Sequence, residues 1–333
     1  MSSPKTIRTS VLVISDTHLA TPFPDGVPAD LPPIDLLLHA GDLTQTGTEE
    51  EFSKALDMLH SIPAAVKLVI PGNHDLGLDK IWTGRTLDQL KIWERRNLMF
   101  DVWKGELGEE AWQRCEKMWF GAGSRARREG VTMLKEGRWI IPLKNGARVK
   151  IYASPFQPEF CDWAFAYLRH QDRFNPPATS LLGSDNIAEY PAYSTEQDAS
   201  ELDVMLTHGP PFGRLDETKG SHEKVGCPHL LNALEHCKPK LHCFGHIHEG
   251  WGAERIDWAR AKQSMPHLSS SKQDMTSQGL QKAWEAGSSS VESVTPTYAT
   301  AARQTLLLNA SIMDVTYKPV NRPWLVYLDL PAA

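Results

Sequence analysis

The chain is poor in cysteine and has no useful arrangement of what it has. Its 333 residues hold five, Cys115, Cys161, Cys227, Cys237 and Cys243, an odd number with no C-x-x-C spacing, which argues against a disulfide scaffold. Long apolar runs are missing as well. None approaches the roughly 20 residues that span a bilayer, and Met1-Ser2-Ser3-Pro4-Lys5 leads into no hydrophobic leader. Blocks of one charge are absent: the formal charge of -6 is spread along the chain, and the most basic spot, Gly123 to Arg128, reads as a solvated loop. No internal repeat is evident. These absences predict a soluble protein in a reducing, cytoplasmic location, with no nucleic-acid patch and no membrane partner.

What is present is enough apolar residue, 41%, for a sizeable core, and a pattern in how the apolar runs end. Val69-Ile70-Pro71-Gly72-Asn73-His74-Asp75 breaks from a buried run straight into an amide, an imidazole and a carboxylate. Val11 to Ser15 runs into Asp16-Thr17-His18, and Leu36 to Ala40 into Gly41-Asp42. Asp203 to Thr207 runs into His208-Gly209, and Leu241 to Phe244 into Gly245-His246-Ile247-His248. Such unalternating runs read as strands buried on both faces, and α/β proteins gather their chemistry at strand ends.

Between these runs, Thr48 and Glu51 resemble a capping box that opens a helix with Phe52, Ala55, Leu56 and Leu59 on one face. The β-α-β order from Ile7 to Ile70 predicts a layered α/β fold. Residues 78–130 read as an inserted helical cap, with helices near Leu87 to Phe100 and Glu109 to Phe120; its tryptophans Trp82, Trp93, Trp103, Trp112 and Trp119 read as packing residues. Thr132 to Pro142 and Ala147 to Ala153 read as an antiparallel pair turning at Lys144-Asn145-Gly146. Arg169 to Ser200 reads as a long surface loop, and Pro228 to Cys237 as a helix. Residues 254–303 read as a polar surface insertion with a short helix around Leu280 to Trp284. Thr305 to Met313 and Trp324 to Leu330 complete the strands of a single domain over 1–333.

The donors at the strand ends are Asp16, His18, Asp42, Asn73, His208, His246 and His248. Two carboxylates, one amide and four imidazoles suit a pair of divalent transition metals. The i, i+2 spacing of Asp16 with His18, and of His246 with His248, lets each pair grip a site from one strand end. Taken singly, most of these residues favour a structural reading, Asp42 as a turn residue and Gly72-Asn73 as a left-handed turn. A chain that only had to fold has no reason to place donors after five buried runs. Two divalent ions against two aspartates and a bridging hydroxide leave about one net positive charge, which draws an anionic phosphoester. His74 is the expected general acid for the leaving group, with Asp75 orienting it. His39, His60, His236 and His242 read as packing or surface residues.

These motifs, Asp16-Thr17-His18, Gly41-Asp42, Gly72-Asn73-His74-Asp75, His208 and Gly245-His246-Ile247-His248, resemble those of the calcineurin-like metallophosphoesterases. Leu38 to Thr44, Ser154 to Pro158, Thr207 to Pro211 and Asn309-Ala310-Ser311 look most like the metallophosphoesterase-domain-containing group. The likeness covers residues 7–78, 148–165, 202–252 and 305–330. It implies a four-layer α/β/β/α sandwich of two mixed sheets. It also implies one metal on Asp16, His18, Asp42 and His248 and a second on Asp42, Asn73, His208 and His246, with Asp42 shared. The implied activity is phosphodiester hydrolysis, on cyclic nucleotides or other small phosphodiesters, with manganese the expected metal and iron, zinc or nickel compatible with the same donors. A phosphomonoesterase or phosphoprotein phosphatase would use the same metals, but only Arg214 adjoins a ligand motif to hold a monoester dianion. A scaffold protein that keeps the fold without turnover is the remaining alternative.

Overall fold

Val11, Leu12, Val13 and Ile14 are all fully buried, yet they serve two cores: Val11 and Val13 face one apolar cluster, Leu12 and Ile14 another. A strand packed on both faces reads as an unbroken apolar run because neither set of alternate side chains reaches water. The computed structural model describes residues 5–86, 88–91, 108–258, 292–294 and 304–333.

Two six-stranded mixed sheets result. The first contains β1 (Thr6–Ile14), β2 (Ile34–His39), β3 (Ala64–Val69) and β4 (Val131–Met133). The second begins with the hairpin β5 (Gly137–Pro142) and β6 (Arg148–Ser154). Two pairs of two-residue strands follow outside both sheets: β7 (Gln157–Pro158) with β8 (Ala166–Tyr167), and β9 (Gln171–Asp172) with β10 (Asp185–Asn186). The second sheet continues with β11 (Val204–Thr207), β12 (Leu241–Phe244) and β13 (Gly252–Asp257). Then come β14 (Glu292–Val294) in the first sheet, β15 (Gln304–Asn309) in the second and β16 (Trp324–Pro331) in the first. The orders are β14-β16-β1-β2-β3-β4 and β13-β15-β12-β11-β6-β5.

Between the sheets lies a core of Val11, Val13, Leu36, Leu38 and Leu68 against Val149, Ile151, Val204, Leu206, Cys243 and Leu308. The helix Glu49–Ser61 covers the outer face of the first sheet through Phe52, Ala55 and Leu56. The helix Pro228–Cys237 covers that of the second through Leu230, Ala233 and Leu234. This is the four-layer sandwich. Thr48 caps its helix as expected, accepting from the Glu51 amide while the Glu51 side chain accepts from the Thr48 amide.

Three differences from the sequence reading have physical causes. Thr132 to Pro142 is two strands in two sheets: Val131–Met133 pairs with β3 and Gly137–Pro142 with β6. The chain changes sheet at Leu134 to Glu136, and a strand-like composition carries no signal of that. The segment Arg169 to Ser200 is pinned as well as looped, because Phe174, Tyr193 and Ala199 are buried against the second sheet's helix side. The Asp172 carboxylate accepts from the amides of Phe174 and Asn175 there. Finally, Glu254 to Asp257 belongs to strand β13.

The segment 78–130 contains the helices Lys80–Thr83, Glu109–Trp119 and Arg125–Arg128. Trp82 and Trp119 are buried in the outer core of the first sheet with Phe52, as the packing reading expected. Of Leu87 to Phe100, residues 88–91 are described and are helical; the rest, with Trp93, Trp103 and the Leu280 to Trp284 helix, lies outside the described residues. Among the described residues no helix is long and apolar enough to cross a membrane.

Candidate metal centre

The parallel strands of both sheets end on the same side, so their following loops converge. The sheets are joined there: the Ser15 amide donates to the Ala310 carbonyl at 2.8 Å and the Ile312 amide to that of Ser15 at 3.0 Å. Asn309 Nδ2 donates to the Ile247 carbonyl at 2.8 Å, so Asn309-Ala310-Ser311 ties the last histidine loop to β1. Asp16, His18, Asp42 and His246 all take positive φ, between 42° and 65°. For residues with a Cβ that conformation is strained and persists only where the surroundings hold it. Close approach also demands glycine: a Cβ on Gly41, itself at φ 101°, would stand 2.6 Å from His208 Nδ1.

All seven donors meet. Three sets each bring one ligand atom per residue within 4.8 Å of the others: Asp16, His18 and His248; His18, Asp42 and His74; and Asp16, Asp42 and His208. Asn73 Oδ1 lies 2.8 Å from His208 Nε2 and 2.7 Å from His246 Nδ1. His208 Nε2 is 3.4 Å from Asp42, and His248 Nε2 is 3.4 Å from Asp16.

Three of the imidazoles are fixed from behind. Nδ1 of His18 donates to the Thr44 carbonyl at 2.8 Å, that of His208 to Ala40 at 2.9 Å, and that of His248 to Asp314 at 3.0 Å. Backbone acceptors at Nδ1 set the tautomer and turn Nε2 inward, which is how metal-ligating histidines are oriented. His18 Nε2 is buried and has no hydrogen-bond partner, a costly arrangement for a core and a suitable one for a ligand. The donor chemistry and this orphaned nitrogen fit divalent metal ions.

Electrostatics divide the cluster: the carboxylates and two imidazoles are held in metal-binding forms, whereas, against the burial that lowers them, His208 and His248 are raised by the same carboxylates. Burial would raise Asp16, but the hydrogen bond and charge of His248 outweigh it and hold the carboxyl at about 2. Burial likewise opposes ionisation of Asp42, and His208 and His74 pull it well below the usual carboxylate range. Burial drives His18 and His246 down to about 3. Both carboxylates are therefore ionised and two imidazoles neutral, the forms that bind metal. His208 goes the other way: burial lowers it, but the Asp42 charge and hydrogen bond, then Asp16, lift it to about 9.

His74 and Asp75 need one correction. The Asp75 carboxylate does not reach the His74 imidazole. It accepts from the amides of Gly72 at 2.8 Å, Leu43 at 3.2 Å and Thr44 at 3.0 Å, and from the Thr44 hydroxyl at 2.6 Å. Adjacent residues on a tight turn point apart, so Asp75 locks the Asp42 and Asn73 loops together while Gln45 holds the imidazole, its carbonyl 2.8 Å from His74 Nδ1. Burial, then the Asp42 charge, raises Asp75 to about 7. His39 and His242 are buried, as expected of packing residues. Their Nε2 atoms also lie 3.0 and 2.9 Å from the hydroxyls of Thr17 and Thr207, bracing both ligand loops.

Two aromatic residues at the site were not singled out from sequence. Trp163 stacks on His74 with centroids 4.0 Å apart, and Tyr317 stands edge-on to His18 at 4.9 Å. Both come from irregular segments, where no period or motif marks them.

A family model described as calcineurin-like phosphoesterase matches residues 9–250. The chain is similar to Metallophosphoesterase domain-containing protein 1 of Homo sapiens and of Mus musculus, 29% identical over 329 residues, covering 97% of this chain and 71% of each of those proteins. A purple acid phosphatase, PPD1 from yellow lupin (Lupinus luteus), shares 12% identity and a TM-score of 0.37 over 92% of this chain and 45% of its own, a likeness too slight to argue from.

Proposed function

Because the chain belongs to the calcineurin-like phosphoesterase family, whose members are metal-dependent phosphoester hydrolases, we propose that it is a dinuclear phosphodiesterase acting on cyclic nucleotides or other small phosphodiesters. Asp16, His18, Asp42 and His248 hold one ion; Asp42, Asn73, His208 and His246 hold the other. Manganese is the expected metal, with iron, zinc or nickel accepted by the same donors. Two such ions supply a water of lowered pKa and positive charge for a phosphoryl group.

The observation that carries this reading is the meeting of donors from both sheets around a buried His18 Nε2 that has no hydrogen-bond partner and stands 3.7 Å from an Asp42 carboxylate oxygen. The chain's own residues have separable tasks. The carbonyls of Thr44, Ala40 and Asp314 aim three imidazoles, Asp75 holds two ligand loops together, and His74, its Nδ1–H held on the Gln45 carbonyl, gives a proton from Nε2 to the leaving oxygen when it is in the imidazolium form and returns to the neutral ring. The diester preference is supported by Arg214, the arginine that adjoins a ligand motif: its guanidinium is paired with Glu254 at 2.5 Å instead of being held for a monoester dianion.

The test is hydrolysis of bis-p-nitrophenyl phosphate with added Mn²⁺, alongside Asp42→Asn. Metal-dependent turnover that the substitution reduces to background supports the reading. Retained turnover in Asp42→Asn would sink it, and a faster rate on p-nitrophenyl phosphate would move the assignment to monoesters.

A further inference from the structure

The imidazole of His74 is held on three sides. Nδ1 meets the Gln45 carbonyl at 2.8 Å, so it carries hydrogen and donates, leaving Nε2 to face reacting atoms. Trp163 covers one ring face, its plane inclined 28° to the imidazole. On the third side the hydroxyl of Tyr317 stands 3.4 Å from Nε2.

The placement of Tyr317 is built in. Its φ is 58°, a conformation that a bulky residue keeps only when the surrounding turn over-determines it. Asp314 supplies that turn: its Oδ1 accepts from the amides of Thr316 at 2.7 Å and Lys318 at 3.1 Å and from the Thr316 hydroxyl at 2.8 Å. The Tyr317 amide donates to the Asp314 carbonyl at 3.0 Å. The same carbonyl accepts from His248 Nδ1, so one turn aims both a metal-site imidazole and this tyrosine. The ring lies edge-on to His18 and to His248 at 4.9 and 5.1 Å and is half-buried.

We propose that Tyr317 is a positioning residue for His74: its hydroxyl engages Nε2 and keeps that nitrogen aimed at the place where the leaving-group oxygen of a phosphodiester arrives. The ring accounts for the packing against His18 and His248, and phenylalanine would keep it. The hydroxyl has the separate task of meeting Nε2. The inference rests on the reading of His74 as the proton donor, and its consequence depends on the leaving group. An alkoxide needs the proton, whereas p-nitrophenolate departs without it, so only alkoxide departure depends on where Nε2 points.

Tyr317→Phe is compared with wild type on a cyclic nucleotide, which expels an alkoxide, and on bis-p-nitrophenyl phosphate, both with Mn²⁺. The expected result is a kcat loss of about tenfold on the first and less than about twofold on the second, a fraction of what a whole general acid supplies. The double variant His74→Ala/Tyr317→Phe should be no slower than His74→Ala. Equal losses on both substrates, or a tyrosine effect that persists in full without His74, would overturn the proposal. A second reading needs no turnover: the imidazole ¹⁵N correlation that vanishes in metal-free His74→Ala should shift in metal-free Tyr317→Phe. An unshifted signal overturns the proposal whatever the activity. A shifted signal in a protein inert on both diesters leaves the Tyr317 contact standing and defeats the phosphodiesterase reading alone.

Discussion

A methyl group at Gly245 would overlap Asp16 Oδ2 and Ser15 Oγ, which shows how little room the donor cluster leaves. Gly245→Ala must move Asp16, whose carboxylate accepts from the His246 amide at 3.0 Å. Overpacking a fully buried polar turn should cost about 2 kcal/mol or more, read by urea unfolding of metal-free protein, with a matching loss of bound metal. The thiols offer a second residue-scale expectation. Burial pushes Cys115 and Cys237 up to about 12, Cys227 to about 11, and Cys243 well up, while Cys161 is half-buried. Thiolate is the reactive form, so a disulfide reagent at pH 8 should label Cys161 quickly and the other four only after unfolding. The sign for stability follows: a raised thiol pKa disfavours the folded state only above the ordinary value of 9.0, so neutral pH costs nothing and loss begins in alkali. At this scale the seven candidate donors could be picked out, since each closes an apolar run, and the structure brings their side chains together. Trp163, Tyr317 and the Gln45 carbonyl were not, because their roles come from closeness across the fold. Asp75 was misread because sequence adjacency to His74 says nothing about direction on a turn.

Elements were legible where local physics decided them. The helix Glu49–Ser61 follows from its cap and stripe, and both halves of the Thr48–Glu51 box are formed. Thr48→Ala should lower stability by about 1 kcal/mol, measured by denaturant unfolding, without affecting metal content, because the cap lies outside the donor set. The buried strands β1, β2, β3, β11 and β12 were equally legible, their unalternating composition reflecting cores on both faces. Val131–Met133 was not separable from the strand after it, since leaving one sheet for the other depends on partners far away in sequence. The burial of Phe174 and Tyr193 beneath an irregular segment was hidden for the same reason: no repeat spacing records it.

In the molecule as a whole, the donors are divided between the two sheets. Asp16, His18, Asp42 and Asn73 follow strands of the first; His208, His246 and His248 follow strands of the second. Ions held between them would link both halves of the sandwich, so metal should stabilise the entire fold. Added Mn²⁺ should raise the melting temperature and a chelator lower it; at a hundred times the dissociation constant the gain is about 2.7 kcal/mol. An unchanged melting curve would mean that the cluster does not take up metal. The central claim, that two metals on this seam hydrolyse phosphodiesters, is tested most directly by titrating metal-free protein with Mn²⁺ while following hydrolysis of bis-p-nitrophenyl phosphate. The account predicts activity that rises with metal and saturates at two ions per chain, and that Asp42→Asn abolishes. Protein that binds two ions and stays inert, or that turns over equally well without them, would contradict it.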